Sequence, residues 1–212
     1  MLDRATAEYV ALEMAVAERP EAHINLSAFY LRQEKPSEAE AALRTALRLD
    51  PRSVPARVNL ADLYRMLGRD ADGEPLLAEA LRLDPRAAEA AHALGLLYIR
   101  QGRKDAAMPL LDRAYALLPA VPRYGYVYAV ALHDAGQAAR AVSVLTAVHA
   151  ARPSDVDTLA ALASFERDRG NLRAAIGWAE KLAALRPDDP GVKALVAQLR
   201  AAAGGGRSGP VR

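Results

Sequence analysis

"PRSVPARVNLADLYRMLGRDADGEPLLAEALRLDP", from Pro51 to Pro85, begins and ends on prolines 34 residues apart. The same step leads on to Pro119, Pro153 and Pro187. Glycines keep it as well: Gly68, Gly102, Gly136 and Gly170. Two residue types sharing one period across most of a chain mark an internal repeat. Proline ends one helix and helps to start the next. Glycine suits the short turn between two helices, where positive φ costs it little. Between the marks, apolar residues recur at helical spacing. Leu60, Leu63 and Tyr64 share one face of a first helix; Leu76, Leu77, Ala80 and Leu81 share one face of a second. A pair of antiparallel helices cannot cover both faces alone, so stacking is required. The predicted fold is all-α: an α-solenoid of stacked antiparallel helix pairs.

Composition sets the outer limits. The chain has 212 residues and is 52% hydrophobic, enough to bury a core. A net charge of +2 exerts no strong pull on nucleic acid. Arginine dominates the bases, and the bias with alanine looks like that of a GC-rich bacterial genome. With no cysteine, the chain itself cannot form a disulfide, a zinc ribbon, a covalent haem link or a cysteine nucleophile. No apolar run reaches the length of a membrane span. The opening "MLDRATAEYVALEMAVAERP" lacks the unbroken apolar stretch of a signal peptide. An exported form would have lost its signal or carried it on a longer parent chain.

The pattern resembles the tetratricopeptide repeat family, which implies a right-handed α-solenoid. Counting position 1 as the third residue after each proline gives five repeats: 20–53, 54–87, 88–121, 122–155 and 156–189. The family favours a large apolar residue at position 7, where Leu26, Leu60, Leu94, Tyr128 and Leu162 stand. It favours a small one at 8: Ser27, Ala61, Gly95, Ala129 and Ala163. Tyrosine at 11 matches in Tyr30, Tyr64 and Tyr98 but not in Leu132 or Glu166. Alanine at 20 matches everywhere except Gly73. Related 35-residue repeats that read RNA fit the 34-residue step less well.

One solenoid domain over 1–203 follows. Residues 1–19 read as a half-repeat, with Ala5 and Tyr9 in the places of Ala39 and Leu43. A capping helix is expected over 189–203, opened by Asp189 and Pro190. The glycine-rich 204–212 reads as a flexible tail. Ser37 and Glu40 fit a capping box for the second helix of repeat one. Pro75 and Pro109, both at position 22, fall early in their second helices.

No catalytic constellation is visible. His23, His92, His133 and His149 lack metal spacing, and no nucleophile elbow, phosphate loop or dinucleotide fingerprint occurs. Catalytic, cofactor and metal sites are each read as none. What remains is a groove. In the resembled family, positions 2, 5, 6, 9, 12 and 13 of the first helices face a ligand. Position 6 holds Asn25 and Asn59, resembling the start of an asparagine ladder that grips peptide backbone; two solvated polar positions is the other reading. The lysine and asparagine clamp for a C-terminal carboxylate is absent.

Within "PRYGYVYAVALHDAG", Pro122 to Gly136, Tyr124 and Tyr128 read as core beside Gly125. Tyr126 falls on another stripe with Val130 and His133. It is either a groove anchor or a side chain packed on the next first helix. Arg65, Arg100, Arg123 and Arg167 occupy groove-facing positions, with Asp62, Asp134 and Asp168 interleaved; His92 and His133 either face one groove in neighbouring repeats or are two unrelated surface imidazoles. Together these predict a mixed groove favouring acidic or aromatic segments.

The expected function is a non-catalytic scaffold for an extended peptide or partner helix, with no nucleic-acid or membrane partner. An alternative is an accessory module. "ERPEAHINL" and "RYGYVYAVALHDAG" resemble the repeat region that ends certain bacterial multihaem cytochromes, which would imply a periplasmic setting. An RNA-binding solenoid and self-association through the concave face or an end are the further alternatives.

Overall fold

The computed structural model describes residues 18–205. Among them are eleven helices and no strand. First and second helices alternate: α1 (Pro20–Arg32), α2 (Pro36–Leu49), α3 (Val54–Met66), α4 (Asp70–Leu83), α5 (Ala88–Arg100), α6 (Lys104–Leu117), α7 (Pro122–Asp134), α8 (Ala138–Ala151), α9 (Val156–Asp168), α10 (Leu172–Leu185) and α11 (Pro190–Gly205). The expected half-repeat lies outside the described residues, apart from its last two. So does the tail beyond Gly205. Gly204 and Gly205 continue α11, two residues past its expected end. The chain falls into two compact bodies that divide between Leu117 and Leu118.

Local chemistry explains the boundaries. Pro20, Pro36, Pro55 and Pro122 occupy the first turns of α1, α2, α3 and α7, where their missing N–H would have no intrahelical partner. The Ser53 side chain accepts from Ala56 N, and Asn171 accepts from Ala174 N. Asp189 Oδ1 accepts from Gly191 N at 2.8 Å and from Val192 N at 3.2 Å, capping α11. The four periodic glycines all have positive φ, from 71° to 77°. At each of these turns, the N–H one residue after the glycine bonds a carbonyl near the helix end: Arg69 to Tyr64, Arg103 to Tyr98, Gln137 to Leu132, Asn171 to Glu166. This is a Schellman-type cap, and its left-handed residue is the glycine.

Two expected details are corrected. Ser37 and Glu40 do not form a capping box. α2 already begins at Pro36, behind Lys35, with no side-chain cap, so Ser37 lies inside its first turn. Glu40 is engaged elsewhere. Pro75 and Pro109 lie six residues into α4 and α6, because those helices start at Asp70 and Lys104. Each removes the donor for the carbonyl four residues back. Those carbonyls belong to Ala71 and Asp105, both exposed residues.

In the N-terminal body, α3 and α5 each pack between their own second helix and the second helix of the preceding repeat. Leu60, Leu63 and Tyr64 of α3 close on Ala39 and Leu43 of α2. Leu94 and Leu97 of α5 close on Ala61 and Leu77. Fully buried leucines such as Leu43, Leu63 and Leu97 each contribute roughly 1.5–3 kcal/mol. Small residues let the helices of a pair approach. An added Cβ on Gly73 would stand 3.6 Å from Ala61 Cβ.

In the C-terminal body, α7 to α10 form two further pairs, and α11 packs on α10. Leu199 of α11 joins Ala163, Ala175 and Ala179 in one cluster, and Val192 joins Leu159 and Leu182 in another. Tyr124, Gly125 and Tyr128 are buried as expected. The Tyr128 hydroxyl accepts from Arg140 Nη2 at 2.8 Å.

Candidate functional site

Within the N-terminal body the first helices touch in order, α1 with α3 and α3 with α5. They therefore crowd onto one side, and the second helices spread on the other. Asn25 on α1 and Asn59 on α3 are exposed, one repeat apart, and neither amide bonds to another group. A hollow of about 460 Å³ opens beside Asn25, with Glu21 and Ile24 from α1 and Ser53, Val54 and Pro55 from the start of α3.

Three of the four arginines named for the groove are paired with acids. Arg65 Nε lies 2.7 Å from Asp62 Oδ1. Arg100 grips Asp70 with both Nε and Nη2, at 2.8 and 2.6 Å. In the C-terminal body, Arg167 bonds Asp168 and Ser164. Arg123 is exposed and has no such partner. Of the interleaved aspartates, Asp62 and Asp168 thus serve as counter-ions to Arg65 and Arg167.

His92 is a second correction: at 5% exposure it belongs to the interior and is not a groove surface. Its position 5 faces the seam between neighbouring helices, as Val58, packed on the Leu94 cluster, also shows. Tyr126 and Val130 are half-buried. Burial, and then the charges of Asp157 and Asp155, push the Tyr126 phenol above its ordinary value. Tyr126 therefore lies toward the start of α9. His133 stacks on Phe165 of α9 with ring centroids 3.9 Å apart, and its Nε2 lies 3.3 Å from Asp168 Oδ2. The stripe expected to line an open groove thus partly serves the α7–α9 seam.

A repeated trio was missed. Glu40 of α2 accepts from Arg44, from the Tyr64 hydroxyl at 3.0 Å and from Arg69 Nη1 at 3.0 Å. One repeat later, Glu74 of α4 accepts from Arg103 Nη1 at 2.7 Å. Arg69 caps the Tyr64 ring at 4.3 Å, and Arg103 caps Tyr98 at 3.8 Å. The signal was present in the sequence, because Glu40/Glu74, Tyr64/Tyr98 and Arg69/Arg103 all keep the 34-residue step. Burial raises the Glu40 carboxyl, but the bonds from Arg44 and Tyr64 and the charge of Arg69 outweigh it and hold it low.

Among the described residues no group of His, Cys, Asp and Glu is placed to hold a metal, and no helix is long and apolar enough to cross a membrane.

No curated protein matches the chain significantly in sequence. Solved structures do match in fold. YrrB, described as a TPR protein with an unusual peptide-binding site, is 19% identical, with a TM-score of 0.68 over 91% of this chain and 97% of that one. PilF of Pseudomonas aeruginosa is 20% identical, with a TM-score of 0.75 over 85% and 82%. MamA of Desulfovibrio magneticus RS-1 is 18% identical, with a TM-score of 0.69 over 81% and 97%. Tetratricopeptide repeat models match residues 30–85 and 71–122, and a second such model matches 132–199. With helix pairs, glycine turns and models covering well over half its length, the chain belongs to the tetratricopeptide repeat family.

Proposed function

We propose that this chain is a non-catalytic protein-interaction scaffold that holds an extended segment of a protein partner on the crowded face of its first helices. The observation that carries the reading is the pair Asn25 and Asn59, exposed, in register and bonded to nothing else. A carboxamide both donates and accepts, so two of them can bind the backbone of an extended strand whatever its side chains. The hollow beside Asn25 supplies apolar wall from Ile24, Val54 and Pro55. The fold likeness to YrrB, a peptide-binding protein by its description, supports the same use.

The test is affinity. Among peptides selected on the wild-type chain from a displayed random library, one class should bind the Asn25→Ala, Asn59→Ala variant at least tenfold more weakly, because two bidentate contacts are lost. Unchanged affinity across the selected set rejects the reading.

A further inference from the structure

A groove of about 520 Å³ lies on the other side of the N-terminal body, between α2 and α4. Leu47, Pro75 and Leu76 line it with apolar surface, and Arg44, Arg48 and Arg69 stand around it. Its size suits a few side chains of a bound ligand. Arg44 and Arg69 are neutralised by Glu40, and Arg69 also by Asp72. Arg48 has no carboxylate partner.

The next repeat provides an internal comparison. Arg82 occupies the place of Arg48, 34 residues on, and Glu79 holds it through two bonds of 2.7 Å. Glu79 has Thr45 as its counterpart in the first repeat, and Arg44 has Ala78. The first repeat therefore lacks the acid that holds this arginine in the second, and it carries one more arginine. An uncompensated guanidinium beside an apolar floor fits an anionic group carried next to a large apolar one.

We propose that this outer groove docks a partner segment in which an aspartate or glutamate adjoins a large apolar residue, with the carboxylate on Arg48 and the apolar side chain against Leu47, Pro75 and Leu76. The site is separate from Asn25 and Asn59.

The experiment is selection of displayed random short peptides on the wild-type chain, followed by affinity measurements on variants. Thr45→Glu supplies the acid that the next repeat already carries at this position, so the helix should tolerate it; Arg48→Ala removes the cation outright. The expected result is a class of peptides pairing an acid with Leu, Ile, Met or Phe. Their affinity should fall about tenfold in both variants, the equivalent of one lost ion pair, and stay unchanged in Asn59→Ala. Their binding should also weaken with salt. Absence of such a class, or a class that binds Thr45→Glu and Arg48→Ala as well as wild type, overturns the proposal. If those peptides lose affinity only in Asn59→Ala, they belong to the inner face and the outer groove is again rejected.

Discussion

Arg69 and Glu40, 29 residues apart in sequence, meet across the first repeat junction with Nη1 3.0 Å from Oε2. Arg103 and Glu74 repeat the meeting at the next junction, and Arg100 and Asp70 add a bidentate pair there. All three carboxylates are held below their ordinary values. For Asp70 and Glu74 the main cause is the bond from arginine; for Glu40 the bonds and charges around it overcome its burial. A carboxylate held low stabilises the fold above its ordinary pKa and loses that contribution as pH falls through its folded value. The N-terminal body should therefore weaken as pH drops below 4.5, the ordinary value for glutamate. The Glu40→Gln, Asp70→Asn, Glu74→Gln variant should lose on the order of 1–2 kcal/mol at neutral pH and show a flatter acid limb. Thermal melts from pH 7 to pH 3 read both. A variant whose melting temperature follows the wild type at every pH would show that these pairs carry no net stability.

Glu34 takes the place that glycine fills in the later turns and is held at φ 58°. A side chain there costs roughly 1–2 kcal/mol, and glycine returns part of the gain to the unfolded chain. Glu34→Gly should stabilise by roughly 0.5–1 kcal/mol in urea denaturation. A loss of stability would mean that the Glu34 side chain compensates its own backbone.

Gly95→Ala should act in the other direction. Its Cβ would come within 2.7 Å of Leu111 Cδ2 and 2.9 Å of Cγ, and Leu111 is fully buried. Overpacking of this kind costs roughly 1–3 kcal/mol. Gly177 in α10 meets nothing within 4 Å, so Gly177→Ala should gain roughly 0.5–1 kcal/mol from helix propensity. Equal effects at both positions would refute the packing argument.

His149 meets the edge of Trp178 with centroids 5.1 Å apart, and Lys181 stands over the same ring at 4.1 Å. Burial, then the Lys181 charge, pushes the imidazole below its ordinary value. A histidine held low leaves stability unchanged above 6.5 and penalises the fold as pH falls below, because the unfolded chain takes up the proton more readily. Comparing melts at pH 7.5 and pH 5 should show a smaller acid loss in His149→Phe than in wild type. An identical loss would place the acid sensitivity elsewhere.

The fold was legible because its punctuation is local. Pro51 to Pro187 and Gly68 to Gly170 declare helix ends and turns without reference to any distant residue. The site was less legible because it depends on how helices cross. Position 5 of a first helix looks outward on a helical wheel, yet His92 is buried and Tyr126 half-buried, since the neighbouring helix covers that edge. Glu40 was misread for a related reason. Ser37 and Glu40 have capping-box spacing, but Pro36 starts the helix one residue earlier and leaves Glu40 to partners 24 and 29 residues away. The arginines looked available because a linear sequence does not show that Asp70 meets Arg100.

The central claim is that the face bearing Asn25 and Asn59 holds the partner. A photo-crosslinking residue in place of Asn59 tests it most directly, with the same residue in place of the exposed Ala78 on α4 as the control, each in lysate of the source organism. The account predicts one protein species trapped from position 59, competed away by wild-type chain, and not trapped from position 78. Trapping of that species from position 78 alone would contradict it.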